Sequence, residues 1–183
     1  ADLGDGYFMG KALDDRAGCT VLAEVFRSLS KSPYNVVAVG SVQEELGIRG
    51  ARTAAWQVDP VYGLALEGTF VADVPGTRPD RVSSKIKSGP VLTIMDRTVF
   101  THPQVLKKLI EAGNGKSIPF QFKKVPVGGT DAGAIHLTRA GVPSGTVAVP
   151  CRYIHGPASS IHIDDLRNAA KLVTEFVKSI SSR

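Results

Sequence analysis

Four short stretches of the chain run from apolar residues into carboxylates or an imidazole: Ala12-Leu13-Asp14-Asp15-Arg16, Val42-Gln43-Glu44-Glu45, Leu64-Ala65-Leu66-Glu67 and Arg152-Tyr153-Ile154-His155. A carboxylate at the end of a buried segment is costly to desolvate unless a cation or a partner compensates it. Asp, Glu and His together form the oxygen and imidazole donor set that hard or borderline divalent cations take. These stretches supply most of the ligands required by a pair of ions sharing one bridging carboxylate and a water, the arrangement of a two-metal hydrolytic centre. Each also has a plain reading by itself. Asp14-Asp15 suits a helix N-cap, Glu44-Glu45 a solvated strand end, Glu67 a turn before Gly68-Thr69, and His155 a loop before Gly156-Pro157. The metal reading gains from the four together, because all fall where one sheet edge gathers them.

The elements that must position these residues alternate along the chain. Val21, Leu22, Val25, Phe26 and Leu29 form a helical stripe within Arg16 to Leu29, closed by Pro33. Val36 to Val42 reads as a buried strand ending at Glu44-Glu45, and Tyr62 to Leu66 as a second strand ending at Glu67. Gly50 to Trp56 reads as a short helix between them, and a third strand is centred on Val91-Leu92-Thr93-Ile94. Pro103 suits the first turn of a helix carrying Val105, Leu106, Leu109 and Ile110. Phe120-Gln121-Phe122 is strand-like, Thr130 or Asp131 opens a helix running to Arg139, and Gly145 to Val149 has the character of a central strand. A last helix spans about Asp164 to Ile180, with both aspartates near its N-terminal dipole. The pattern is a layered α/β domain with helices on both faces of a sheet. In such sheets ligands gather at the C-terminal strand ends, where the four stretches lie.

Composition narrows the function classes. With 183 residues, 43% of them apolar and 21% charged, the chain has ordinary globular composition and enough length for one sizeable core. No apolar run approaches a bilayer span and no signal-peptide layout opens the chain, so no membrane partner is expected. The net charge is +5, but Arg78, Arg81, Lys85, Lys87, Lys107, Lys108, Lys123 and Lys124 lie on separate elements with few aromatics between them. They read as a solvated surface, and no nucleic-acid partner is expected. Cys19 and Cys151 lie far apart, which excludes a disulfide scaffold and reads as two buried thiols in a cytoplasmic protein. Val125 to Gly133 is glycine-rich yet lacks the Gly-Lys-Ser/Thr ending of a phosphate loop. His102 and His162 read as structural or surface residues, and His136 lies on a helix face with no paired ligand at helical spacing. The opening, Ala1-Asp2-Leu3-Gly4-Asp5-Gly6, enters as if in mid-loop, as part of a longer protein would.

Ala12-Leu13-Asp14-Asp15-Arg16-Ala17-Gly18, Val42-Gln43-Glu44-Glu45-Leu46-Gly47-Ile48-Arg49-Gly50-Ala51, Ile94-Met95-Asp96-Arg97, Gly128-Gly129-Thr130-Asp131-Ala132-Gly133-Ala134 and Arg152-Tyr153-Ile154-His155 closely resemble the TET-type aminopeptidases. These co-catalytic metallopeptidases include glutamyl, leucyl and lysyl aminopeptidases, and some relatives carry the name endoglucanase. The resemblance covers essentially the whole chain, in order. It implies a zinc-exopeptidase-like catalytic domain holding two divalent ions, zinc or cobalt. Asp14 resembles the carboxylate bridging both metals, with the Asp14–Asp15 peptide cis and Asp15 supporting the site. Glu44 resembles the general base, and Glu45, Glu67 and His155 the other ligands, Glu67 standing where many relatives have Asp. Gly128, Gly129, Thr130 and Asp131 resemble the segment lining the substrate pocket.

The family takes a further His ligand from an N-terminal segment, followed by an inserted β-rich domain used in assembly. The chain thus resembles the C-terminal part of such a catalytic domain, and the isolated chain is expected to be inactive for want of that ligand. The implied partners are peptide substrates and, in the full-length protein, further copies of itself. Two rival readings remain: a glycoside hydrolase using Glu44 with Glu45 or Glu67 as an acid/base pair, and a non-catalytic assembly subunit. Adjacent strand residues face opposite ways, which disfavours the Glu44–Glu45 pair.

Overall fold

In the computed structural model, which describes residues 1–180, the chain builds a four-stranded mixed sheet with helices on both faces. In chain order the elements are β1 (Tyr7–Gly10), α1 (Leu13–Ser28), α2 (Arg49–Val58), β2 (Gly63–Phe70), β3 (Val91–Leu92), α3 (Pro103–Gly115), β4 (Gln121–Phe122), α4 (Ala132–Ile135), β5 (Ser144–Cys151), β6 (Ser159–His162) and α5 (Ile163–Ser179). The sheet order is β2-β5-β3-β4. β2 runs parallel to β5 from Gly63↔Ser144 to Phe70↔Cys151, and β3 is antiparallel to β5 and parallel to β4. β1 and β6 form a separate antiparallel pair, Tyr7↔His162 to Gly10↔Ser159.

The core follows from side-chain alternation. All eight residues of β5 are buried, as expected of a central strand covered on both faces. Val147, Val149 and Cys151 join the main core with Val21 and Val25 of α1, Leu109 of α3, and Leu172 and Phe176 of α5. On the opposite face Ala65 of β2 packs with Val99 and Ala132 of α4. Successive strand residues point to opposite faces. Leu64 and Leu66 therefore reach the main core, while Glu67, buried like Ala65, points to the face under α4.

Three expectations are corrected. Val36–Val42 is not a strand: no backbone hydrogen bond joins Val36–Ser41 to another element among the described residues, and Val37 and Val39 are exposed. β2, the adjacent sheet edge, takes its ladder from β5 alone, and an apolar run without a ladder partner has no strand to join. Glu67 does not end its strand but sits within β2, which continues to Phe70. The helix expected to reach Arg139 stops at Ile135. Arg139 adopts left-handed backbone (φ 51°), which no helix continues through; its guanidinium pairs with Asp59 at 3.1 Å and lies 4.4 Å over the Trp56 ring.

The other helices form where the periodicity places them. α1 has regular helical backbone from Arg16 onward, because Asp14 and Asp15 lie outside the helical region. His102 caps α3 and His162 caps α5, each ring nitrogen accepting the amide two residues on, while His136 closes the short α4. Asp164 is exposed at the α5 N-terminus, but Asp165 is buried and accepts the Lys87 amide at 2.6 Å and the Gly89 amide at 2.7 Å, fixing the segment that leads into β3. Burial raises its carboxyl above the usual range, opposed by those two bonds. Asp165→Ala leaves both donors unpaired and is expected to cost about 2–4 kcal/mol in denaturant unfolding, against about 0.5 kcal/mol for Asp164→Ala.

Candidate metal centre

Asp14 lies at the meeting point of two groups of potential ligands. One is Asp14 with Glu45 and His155, the other Asp14 with Asp15 and Glu67; in each, one donor atom per residue lies within 4.8 Å of the others. His155 Nε2 is 3.2 Å from Asp14 Oδ2 and 3.4 Å from Glu45 Oε1. Four separate segments converge here: the start of α1, the turn after Gln43, the middle of β2, and the loop after β5. One carboxylate common to two donor groups is the layout that a pair of divalent cations requires. Oxygen and imidazole donors fit hard or borderline ions such as zinc or cobalt.

The electrostatics make the same point. Burial, with the neighbouring Asp14 and Asp131 charges, pushes the Asp15 carboxyl up to about 8. Burial, Asp15 and Glu44 push Glu67 up to about 9. Burial, then Asp131, Glu45 and Asp14, push Glu44 up to about 7, opposed by His155. Asp131 is also raised by burial, opposed by its bond from Ser41. Like charges held this close in a half-buried site cannot all ionise without a cation. The crowding is therefore a cost to the protein alone and an affinity for a divalent ion.

Local backbone and packing hold the groups together. The Asp14–Asp15 peptide is cis. Gly68, next to Glu67, lets Asp14 lie against β2: a Cβ there would sit 2.8 Å from Asp14 Oδ1. Gly18 likewise leaves room for the Asp15 carboxylate, whose Oδ1 accepts the Gly18 amide at 3.0 Å. Ala12, Gln43, Ile48 and His155 all adopt left-handed backbone beside or within the ligand segments. Such conformations are uncommon for residues with a side chain and collect at functional sites. Arg152 anchors the His155 loop through Nε and Nη2 on Asp73, at 2.7 and 3.0 Å.

All the residues singled out from the sequence approach the centre, though not all as expected. Glu45 and His155 are exposed, while Glu67 is buried. Gly128 and Gly129 line the adjoining cavity, but Thr130 and Asp131 do more than line it. Thr130 Oγ1 donates to Asp96 Oδ2 at 3.2 Å and meets Thr146 Oγ1 at 2.9 Å. The Asp131 amide donates to Glu67 Oε1 at 3.1 Å, and its carboxylate accepts the Ser41 hydroxyl, steadying the segment that carries Glu44. Sequence reasoning missed Ser41, for which no local signal exists, and treated Lys123 as surface charge. Lys123 is half-buried in the cavity wall. Cys151 is buried but Cys19 is exposed, contrary to the reading of two buried thiols.

The mixed α/β sheet with helices on both faces is a zinc-exopeptidase-like fold, and Asp14 is shared by two groups of potential ligands. The family model for the M42 glutamyl aminopeptidases matches residues 1–172, and the chain belongs to that family. A protein of Acetivibrio thermocellus is 39% identical over 180 residues, which cover 96% of this chain and 54% of the relative. A lysyl aminopeptidase of Pyrococcus furiosus (31%; 97% of this chain, 50% of the relative) and a glutamyl aminopeptidase of Lactococcus lactis (30%; 95% and 48%) are similar at nearly equal distance. Among solved structures, an aminopeptidase from the archaeon Desulfurococcus kamchatkensis superposes with a TM-score of 0.96 at 35% identity, over 99% of this chain and 51% of that one. The Pyrococcus horikoshii TET1 peptidase, which can assemble into a tetrahedron or a large octahedral shell, matches at 0.81 and 25% identity over 98% and 52%. The chain spans about half the length of the curated relatives it matches.

Three outcomes are expected of the site. Asp15 and Glu67 hold their protons at pH 7, near 8 and 9, and must lose them to accept a cation. Loading is expected to release protons and tighten as pH rises from 6 to 9, read by calorimetry in buffers of different ionisation enthalpy; heats independent of buffer would refute it. The same raised groups favour the metal-free fold below their unfolded values of 3.8 and 4.5, and that contribution is lost as pH rises through 8 and 9. The metal-free Tm is therefore expected to fall over that range and to recover on adding the divalent ion. Gly68→Ala forces Asp14 off β2, and metal affinity is expected to drop about 10- to 100-fold with circular dichroism unchanged.

Proposed function

We propose that this chain carries most of the catalytic site of a metal-dependent aminopeptidase that removes N-terminal residues from peptides. The observation that carries the reading is Asp14 shared between the Glu45–His155 and Asp15–Glu67 groups, with Glu44 next to both. Asp14 is read as the bridging carboxylate, Glu45 and His155 as ligands on one side, and Glu67 on the other, with Asp15 supporting Asp14. Two divalent ions, when bound, supply a water of lowered pKa and a polarised scissile carbonyl.

Glu44 is the general base in this reading. A carboxyl near 7 is matched to taking a proton from water and returning it to the leaving amine near neutral pH. Glu45 turns toward His155 while Glu44 feels Asp131 most strongly, so the two adjacent carboxylates divide ligation from proton transfer rather than flanking one sugar bond. Membership in an aminopeptidase family supports the same assignment.

The rest of a relative-length chain is read as completing the site. The Asp14–Asp15–Glu67 group has three carboxylates and no imidazole, whereas the other group has His155. Among the described residues no strand pairs with the outer edge of β2, and Val37, Val39, Asp15 and Glu67 line a cavity of about 470 Å³ beside it. A further strand bringing a His ligand suits that gap, and the described part alone is then expected to be inactive. Self-association of the full-length protein is read from the likeness to the shell-forming peptidase.

Glu44→Gln in the full-length protein is expected to keep its metal content by elemental analysis and to lose about 10²–10⁴-fold in kcat on aminoacyl anilides. Turnover near wild type would remove Glu44 from the base role. Activity should vanish with chelator and return with zinc or cobalt, and chelator-resistant turnover would remove the metal from the mechanism.

A further inference from the structure

The His155 imidazole has no support behind its ring. Its Nε2 lies 3.2 Å from Asp14 Oδ2 and 3.4 Å from Glu45 Oε1, and the side chain is 65% exposed. A metal-ligating His ordinarily donates its other ring N–H to an acceptor that fixes the ring. Among the described residues no hydrogen bond engages His155 Nδ1. The position of the imidazole therefore depends on the backbone turn that carries it. That turn is unfavourable by itself, because Tyr153 and His155 both adopt left-handed backbone, at φ 57° and 62°. The Gly156 amide closes it on the Tyr153 carbonyl at 2.9 Å.

The turn is anchored at Arg152, directly after β5. The Arg152 backbone exchanges two hydrogen bonds with Ser160, at 2.9 and 3.1 Å. Its guanidinium donates from Nε to Asp73 Oδ1 at 2.7 Å and from Nη2 to Oδ2 at 3.0 Å. Such a fork fixes orientation as well as distance. Asp73 lies just beyond β2 and also accepts the Ile86 amide at 3.1 Å. Burial alone would raise its carboxyl, but the bonds from Arg152 and Ile86 bring it below its ordinary value. β2 and β5 run parallel and their ladder ends at Phe70↔Cys151, so the Arg152–Asp73 pair ties the two strand extensions together just past it. The Asp15 and Glu67 carboxylates are held elsewhere, by the Gly18 and Asp131 amides.

We propose that Arg152, clamped on Asp73, is a positioning residue for one metal ion: it presents His155 to the ion on the Glu45 side and leaves the ion on the Asp15–Glu67 side to its own supports. This deepens the two-ion reading of the centre and rests on it.

The test titrates the metal-stripped full-length protein with zinc by calorimetry, with His155→Ala marking the binding step that belongs to His155. Arg152→Met is expected to weaken that step about 10- to 100-fold and to leave the other within about threefold. Arg152→Lys keeps the charge without the fork and is expected to lose about 3- to 10-fold. Adding Asp73→Asn to Arg152→Met is expected to weaken the step no further, since the pair acts as a unit. With cobalt in place of zinc, the visible absorption of the same step should shift in Arg152→Met toward that of His155→Ala. Equal weakening of both steps, two unchanged steps, or a further loss from Asp73→Asn overturns the proposal, because a purely structural pair affects both ions alike. A wild type that takes up fewer than two ions removes the two-ion reading and this role with it, whereas two wild-type ions with unselective loss remove the role alone. Should Arg152→Met fail to fold, Arg152→Lys and Asp73→Asn decide by the same selective loss.

Discussion

Carboxylates crowded around Asp14 set the terms for the rest of the structure. Asp15, Glu67 and Glu44 are each pushed upward, by burial first and by one another second. A protein does not hold such groups together for stability, because each raises the cost of ionising the next. They persist because strands and glycines place them there: Glu67 is fixed on a buried strand, and Gly68 and Gly18 leave the space that Asp14 and Asp15 occupy. The arrangement makes sense once a divalent charge enters it. Such a charge would turn the same crowding into attraction, and Asp14 is the carboxylate common to both groups.

The two halves of the centre differ in how they are held. Glu67 and Asp15 are tied to β2 and α1 and receive the Asp131 and Gly18 amides. Glu45 and His155 stand on turns with left-handed residues nearby, are exposed, and are held mainly through anchors behind them, such as Arg152 on Asp73. Asp131 links the halves, since its amide holds Glu67 and its carboxylate holds the Ser41 segment leading to Glu44. A residue that looks like pocket lining thus ties Glu67 to the segment that leads to Glu44.

The cavity beside the centre is lined by charges of both signs. Asp14, Glu44, Glu45 and Glu67 line it together with Lys123 and with Thr93, Thr98, Thr130 and Thr146. Asp96 organises the wall by accepting the Thr98 amide and hydroxyl at 2.7 and 2.8 Å and the Thr130 hydroxyl at 3.2 Å.

Much of this was legible in the residues. Periodicity located α1, α2, α3, α5 and the core of β5, because helical stripes and a continuous apolar run are imposed by local geometry and burial. The types and order of Asp14, Glu44, Glu45, Glu67 and His155 were enough to expect a metal centre, since few other uses explain carboxylates and an imidazole beside apolar segments. Other features depend on distant partners. Whether Val36–Val42 becomes a strand depends on a neighbouring ladder, and whether Glu67 ends a strand depends on where β5 stops pairing with β2. Lys123 reads as one more solvated lysine until the sheet order carries it to the cavity wall, and Ser41 and Asp131 meet across 90 residues of chain. Charge and hydrogen bonding act through space. Residue order thus sets which groups are available and their local secondary structure, while long-range packing sets which of them gather around Asp14 and which line the cavity beside it.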